Sequence, residues 1–116
     1  MLMHETMVAQ SLLSMISAEA EKRNAKPIIA RISCGVLNAV NDDVLCFAFD
    51  SVAKGTACEG MKLEIEHKQM QGRCKSCAEI FDVELSQPVC PKCGGEDFEL
   101  QPDAALVLEE IEFSTE

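Results

Sequence analysis

Tryptophan and tyrosine are absent from this chain of 116 residues, and aromatic residues make up only 4% of it. Positive charge is also scarce, because ten lysines and arginines stand against twenty aspartates and glutamates, for a formal net charge of −10. Nonspecific affinity for nucleic acids comes mainly from neutralising phosphates with lysine and arginine. The charge balance therefore disfavours a role in binding nucleic acid.

Long hydrophobic runs are also absent, and the sequence does not open with a basic stretch, an apolar core and a small-residue cleavage site. We therefore expect no membrane span and no export, and a cytoplasmic location. Hydrophobic residues make up 47% and charged residues 26%, as in globular proteins. The length allows one compact domain, or a small domain that carries a minidomain.

The first half of the chain predicts two helices with a strand between them. Apolar residues recur at helical spacing over residues 5–24, which predicts an amphipathic first helix. Pro27 rules out its continuation, and the following "IIARISCG" alternates as a half-buried strand. Asn41 and the two aspartates after it supply the cap and the anions of a second helix, which runs to about Ala53.

The second half predicts two further strands. Gly55 is placed to end the second helix, and "MKLEIEHK", at Met61–Lys68, alternates strictly between two faces. The tail predicts a strand over Ala104–Phe113, but its apolar residues change parity along the way. We therefore expect a β-bulge near Glu109 or Glu110.

These elements predict an α+β fold. A three-stranded sheet packs with two helices on one face, and a zinc-ribbon-like four-cysteine minidomain is inserted before the last strand. The first domain comprises residues 1–68 with 101–116. The minidomain comprises residues 69–100, where apolar alternation stops and glutamine, glycine and proline appear.

Seven cysteines could form a secreted disulfide framework, but their number is odd and no signal segment precedes them. Four of them form C-x-x-C pairs, Cys74 with Cys77 and Cys90 with Cys93, and twelve residues that can form a short hairpin separate the pairs. Zinc prefers four soft ligands in a tetrahedron, and about thirty residues with few apolar side chains need a metal to fold. We predict a structural zinc ion at these four cysteines.

Two alternatives use the same cysteines. A rubredoxin-like iron site has the same ligand set, and the visible absorbance of the purified protein discriminates it from zinc. A thioredoxin-type exchange role for one pair would leave the other pair unexplained.

His4 and Glu5 stand at the predicted start of the first helix. An imidazole in a flexible amino-terminal run can bind a divalent metal together with deprotonated backbone nitrogens. Such planar nitrogen sets suit Ni(II) or Cu(II) and match zinc poorly. Taken alone, a histidine at a helix start is more often simply solvated.

Several strings together resemble one known family over essentially the whole chain. They are "MHE" at Met3 to Glu5, "ARISCGVLNAV", "LCFAFDSVAKGT", "LEIE" before the cysteines, the two C-x-x-C pairs and "IE" near the end. In this order and spacing, the chain is similar to the HypA family of accessory proteins that insert nickel into nickel-iron hydrogenase.

The resemblance implies a nickel metallochaperone with a nickel-binding helix-and-sheet domain and a separate zinc domain. His4 would anchor a transferable Ni(II), with the backbone nitrogens of His4 and Glu5 as further donors. Because Met1 and Leu2 precede the family's usual start, the α-amino group is displaced from His4, and Met3 is an alternative start. The implied partners are the HypB GTPase and the large-subunit precursor of the hydrogenase, and some relatives also serve urease maturation.

The other metal-ligating residues have simpler interpretations. We interpret His67 as a partly exposed residue at a strand end, with a nickel-related role as the alternative. We interpret Asp42 and Asp43 as anions at a helix start. The three remaining cysteines are predicted to be small buried hydrophobic residues, namely Cys34, Cys46 and Cys58.

Three other functional classes are less consistent with the sequence than a metallochaperone. The sequence shows no nucleophile with an activating base, no phosphate-binding glycine loop and no acid and base pair, so we do not predict an enzyme. The main rival is a zinc-ribbon protein-interaction module without a transferable metal. A nucleic-acid ribbon is disfavoured, because residues 69–99 contain three basic against six acidic residues.

Overall fold

The computed structural model describes residues 2–36 and 40–115, with the backbone alone for residues 2 and 3. In this part of the chain, two helices and six strands follow in the order α1 (Leu2–Arg23), β1 (Pro27–Gly35), α2 (Asp42–Ala53), β2 (Lys62–Lys68), β3 (Gln71–Cys74), β4 (Ile80–Asp82), β5 (Phe98–Leu100) and β6 (Val107–Phe113). Neither of these helices is both long and apolar enough to span a membrane.

The first sheet has the strand order β2-β1-β6. β1 pairs in parallel with β2, and α2 supplies the crossover that a parallel pair needs. β6 pairs antiparallel on the other edge of β1, after the chain has passed through the four cysteines. The predicted three-stranded sheet, with the cysteine module inserted before its last strand, is confirmed.

The predicted bulge in the last strand is also confirmed. Arg31 pairs with Glu110 and the next residue, Ile32, pairs with Leu108, so Glu109 is the extra residue on β6. The extra residue puts Leu108 and Ile111 on the same face of the sheet as the apolar residues of β1, because side chains otherwise alternate. The bulge thus keeps the apolar residues of β6 on one buried face, although their parity changes along the strand.

Both helices pack on that buried face. Its core contains residues from both helices, β1, β2 and the segments beside them: Ala9, Leu12, Ile16, Ala30, Ile32, Cys34, Val40, Leu45, Phe49, Ala53, Cys58, Met61 and Leu63. The opposite face is charged. There the guanidinium of Arg31 lies 2.9 Å from a carboxylate oxygen of Glu64, 3.4 Å from one of Glu110 and 3.2 Å from one of Glu112.

The ends of α2 follow from its sequence. Asn41 is the N-cap, and its side-chain Oδ1 accepts a hydrogen bond from the N–H of Val44 at 3.0 Å. Lys54 is the C-cap, and Gly55 follows with φ of +78°, a conformation that glycine adopts without strain. The predicted start and end of the second helix are confirmed.

The start of the first helix differs from the prediction. The helix was predicted over residues 5–24, with His4 outside it, but α1 begins at Leu2 and includes His4. No proline or glycine interrupts the chain here, and the carboxylate of Glu5 favours the positive end of a helix dipole. The helical conformation therefore extends through the amino-terminal run.

The second sheet has the strand order β4-β3-β5, with β3 antiparallel to both neighbours. The rings of Phe81 and Phe98 meet edge to face with centroids 5.4 Å apart. A Cβ on Gly72 would lie 2.8 Å from Phe98, so only glycine fits beneath this pair. The expected hairpin within residues 78–89 is wrong, because β4 pairs with β3 across the first C-x-x-C turn instead.

The chain returns from the second sheet to the first across the end of β1. The N–H of Gln101 donates to the carbonyl of Gln71 at 2.8 Å, so the outgoing and returning segments run side by side. The N–H of Gly35 donates to the carbonyl of Ala104 at 2.9 Å. A Cβ on Gly35 would collide with the carboxylate of Asp103, so the glycine leaves room for the returning segment.

Candidate metal centre

The first C-x-x-C unit forms the turn between β3 and β4. The N–H of Ala78 donates to the carbonyl of Cys74 at 2.9 Å, and the N–H of Cys74 donates to the carbonyl of Glu79 at 2.9 Å. These two bonds close a tight loop that carries the sulfur atoms of Cys74 and Cys77.

The second C-x-x-C unit repeats the same backbone pattern. The N–H of Gly94 donates to the carbonyl of Cys90 at 2.8 Å, and the N–H of Cys90 donates to the carbonyl of Gly95 at 2.9 Å. The sequence predicted two matching ligand turns, and the backbone forms both.

The two loops bring four sulfur atoms together. The Sγ atoms of Cys74, Cys77, Cys90 and Cys93 all lie within 4.8 Å of one another. The distance is 3.5 Å between Cys74 and Cys93 and 3.6 Å between Cys77 and Cys90. Zinc–sulfur bonds of about 2.3 Å in a tetrahedron give sulfur–sulfur distances of about 3.8 Å. Since all seven cysteines are free thiols, this donor set fits a tetrahedral ion such as zinc.

The thiols of Cys74 and Cys77 have different pKa values because their surroundings differ. The pKa of Cys74 is lowered to about 6, chiefly by the backbone N–H of Cys77 and also by that of Ser76. For Cys77, the N–H of Glu79 acts to lower the pKa, but burial and the neighbouring cysteine thiols raise it to about 12. The cluster thus favours a thiolate on Cys74, and a metal ion that binds all four sulfurs must release the remaining protons.

We expect Ala78→Gly to stabilise the four-cysteine module by about 0.5–1 kcal/mol. Ala78 has φ of +65°, and Gly94 holds the equivalent position of the second loop with φ of +75°. A side chain in this left-handed region is strained, and glycine is not. Competition with a chelator measures the effect as zinc retention about two- to fivefold stronger than in the wild type.

Gly94→Ala is the matched control and should act in the opposite direction. A Cβ there would have no atom within 4 Å, so backbone strain alone is tested. Equal zinc retention by both variants and the wild type would contradict the strain argument.

The amino-terminal residues lie at the junction of the two helices. His4 is exposed in the first turn of α1, whereas Glu5 is only 3% exposed. The Oε2 atom of Glu5 accepts a hydrogen bond from the N–H of Asn41 at 3.0 Å, and this bond lowers the pKa of the carboxyl group. Among the described residues, the buried Oε1 atom of Glu5 has no hydrogen-bond partner.

His67 makes two contacts that were not predicted from the sequence. Its Nε2 lies 2.7 Å from Oδ1 of Asp42, and its Nδ1 lies 3.6 Å from the sulfur of Cys34. His67 does lie at the end of a strand, and Asp42 and Asp43 do lie in the first turn of α2, as predicted. The strict alternation of "MKLEIEHK" was the available signal, because it puts His67 on the inner face of β2.

The remaining cysteines largely match their predicted role. Cys34 and Cys58 are fully buried in the core. Cys46 is only half-buried on α2, and its pKa is raised, mainly by burial and then by the charge of Asp50. None of the three belongs to the four-sulfur cluster.

The similarity to known proteins extends over nearly the whole chain. Residues 3–113 match the family model described as hydrogenase/urease nickel incorporation, metallochaperone, hypA. The hydrogenase maturation factor HypA of Escherichia coli strain K12 is 32% identical over 117 residues, with 98% of this chain and all of the relative covered. The hydrogenase maturation factor HybF of Escherichia coli O157:H7 is 31% identical, with 95% and 98% covered.

Two solved structures share the fold. The solution structure of the Ni metallochaperone HypA from Helicobacter pylori has a TM-score of 0.61 at 23% identity and covers 97% of this chain and 98% of its own. The solution structure of a HypA protein has a TM-score of 0.71 at 24% identity and covers 98% of each chain. The chain therefore belongs to the HypA family of hydrogenase and urease nickel-incorporation metallochaperones.

Proposed function

We propose that this protein binds Ni(II) at its amino terminus through His4 and Glu5 and helps to deliver it to the large subunit of nickel-iron hydrogenase. One observation carries the proposal: the exposed His4 lies in the first turn of α1, directly before the buried carboxylate of Glu5. The family membership supplies the metal, since the matching family model describes nickel incorporation.

The first turn of a helix suits such a site chemically. The first four N–H groups of a helix have no acceptor within it, and that of His4 is among them because α1 begins at Leu2, so the backbone nitrogen of His4 is free to bind a metal. We propose the next nitrogen, that of Glu5, as the further donor. An imidazole with deprotonated amide nitrogens forms the planar set that Ni(II) prefers. The Oε1 atom of Glu5, which lacks a hydrogen-bond partner among the described residues, adds a negative charge beside these donors. An open site with few ligands releases its ion more readily than a closed cage.

The four cysteines would hold a different ion permanently. We assign zinc to Cys74, Cys77, Cys90 and Cys93, because four thiolates in a closed tetrahedron are typical of structural zinc. We further propose two domains, residues 1–68 with 101–116 for nickel and residues 69–100 for zinc. Each has its own sheet and its own cluster of buried side chains, which supports this division.

Delivery requires other proteins. We propose a HypB-type GTPase and the large-subunit precursor of the hydrogenase as partners in the cytoplasm, and the urease maturation proteins as a further set. The relatives from Escherichia coli are named hydrogenase maturation factors, and the family model also names urease, which supports this choice. The zinc domain would present a fixed surface that a partner recognises.

We expect His4→Ala to weaken nickel binding at least about tenfold, because the imidazole is the only side-chain nitrogen in the proposed set. Calorimetric titration of the zinc-loaded protein with Ni(II) measures the affinity. The wild type should bind one nickel ion per chain and release protons as backbone amides are deprotonated.

Gln10→Ala is the control, because Gln10 is also exposed on α1 but lies beyond the first turn. It should bind nickel as the wild type does. Equal, stoichiometric binding by the wild type and His4→Ala would refute the amino-terminal site. A wild type that binds no nickel would instead favour the alternative, a zinc-binding interaction module without transferable metal.

A further inference from the structure

We propose that His67 and Asp42 are positioning residues for the nickel site: together they fix the start of α2, and thereby the backbone N–H of Asn41 that orients the carboxylate of Glu5. This inference rests on the proposed amino-terminal nickel site. Neither His67 nor Asp42 is assigned to the metal itself.

The imidazole of His67 is held on both sides. Nε2 lies 2.7 Å from Oδ1 of Asp42, whose carboxylate is an acceptor only, so the proton of the neutral ring belongs on Nε2. Nδ1 is then an acceptor and faces the buried thiol of Cys34 at 3.6 Å. Cys34 and His67 are directly paired in the parallel register of β1 and β2, so the ring is fixed to two neighbouring strands.

Asn41 precedes Asp42 in the chain, so a contact that fixes Asp42 also restricts the position of Asn41. Asp42 is the first residue of α2, and Asn41 is the cap, whose own side chain is engaged with Val44. The contact between His67 and Asp42 therefore ties the first turn of α2 to the end of β2. It adds to the cap, to the hydrogen bond between Asn41 and Glu5 and to the core residues further along the helix, which also place this turn.

The position of Asn41 matters because Glu5 depends on it. The N–H of Asn41 is 3.0 Å from Oε2 of Glu5, and the other oxygen of this carboxylate has no partner among the described residues. The backbone N–H of Asn41 therefore helps to define the orientation of a buried carboxylate next to His4, and it lowers the pKa of this group more than the N–H of Glu5 itself does. A small movement at the start of α2 therefore changes the distance between the negative charge of Glu5 and a cation bound beside His4.

The test uses Asp42→Ala, His67→Ala and the double variant, all zinc-loaded. We expect each to weaken nickel binding by about two- to fivefold, because the contact between His67 and Asp42 is partly exposed. In the nickel-free protein, hydrogen exchange at the N–H of Asn41 should accelerate by a similar factor. The double variant should lose no more nickel affinity than either single variant, since all three remove the same contact.

Two further variants separate positioning from general stability. His67→Gln retains an amide N–H that can reach Asp42 and should recover most of the nickel affinity. Lys68→Gln removes the neighbouring ion pair with Glu109, 3.5 Å long and similarly exposed, and should leave nickel binding unchanged. Zinc content should be equal in all variants.

The outcomes distinguish this inference from the proposed function. If His4→Ala binds nickel as well as the wild type, the amino-terminal site itself is refuted. If His4→Ala loses nickel but the Asp42 and His67 variants bind it normally, or if their losses add in the double variant, the positioning role is refuted. Should His67→Ala fold poorly, Asp42→Ala decides the question alone, because Asp42 is half-exposed at the surface.

Discussion

Cys90→Ser is expected to release zinc and to unfold the four-cysteine module while the two helices and the first sheet remain folded. Structural zinc contributes about 10–16 kcal/mol to such modules, so the loss of one of four ligands costs about 3 kcal/mol, or more than about a hundredfold in affinity. Cys90 is 1% exposed and belongs to the second buried cluster, so the change also removes a core side chain. Metal analysis after dialysis against a chelator, with amide NMR spectra, measures both effects.

Cys46→Ser is the matched control. Cys46 is half-buried on α2 and lies outside the four-sulfur cluster, so this variant should retain its zinc. A Cys90→Ser protein with full zinc content would disprove the four-thiolate assignment. Loss of zinc together with loss of all helical signal would show that the first sheet depends on the module.

Phe49→Ala is expected to lower the free energy of unfolding of the helix-and-sheet part by about 3–5 kcal/mol. Phe49 is 1% exposed and lies in the main core between the helices and the sheet, so truncation leaves a cavity. For a folded unit of about 60–100 residues, this loss corresponds to a fall in Tm of at least about 12 °C. Thermal unfolding followed by circular dichroism measures it.

Phe47→Ala provides the comparison on the same helix. Phe47 is 75% exposed, and substitutions at such surface positions change stability by no more than about 0.5 kcal/mol. The two variants remove the same number of atoms two residues apart. Similar losses of stability in both would mean that α2 does not pack on the face that the structure shows.

The elements that the sequence predicted well are those whose signal is local. The helical spacing of α1, the cap at Asn41 and the alternation of β2 each depend on neighbouring residues, and all three were found. The bulge at Glu109 was predictable because the apolar residues of the last strand change parity. An extra residue is the usual way to keep such residues on one buried face. The four-sulfur cluster was predictable because ligand spacing in a C-x-x-C turn is itself local.

The features that the sequence did not predict depend on distant partners. Glu5 contacts Asn41 from 36 positions away, and His67 contacts Asp42 from 25 positions away. Alternation could place His67 on the inner face of β2, but no local pattern identifies the partner of either residue. The expected hairpin between the cysteine pairs was wrong for a related reason. The segment after Cys77 had two possible strand partners, and the packing of Phe81 and Phe98 over Gly72 favours pairing with β3.

The bond between Gln71 and Gln101 has a mechanical consequence. The four-cysteine module is attached through two chain segments, and this 2.8 Å bond keeps them adjacent where they enter and leave its sheet. A module connected by one chain segment can rotate about that segment. Two adjacent connecting segments allow the module to bend toward or away from the first sheet, but they resist rotation about the direction of the chain. If the module changes position when a partner docks, we therefore expect a hinge rotation. Its axis would pass through the residues that follow β2 and β5.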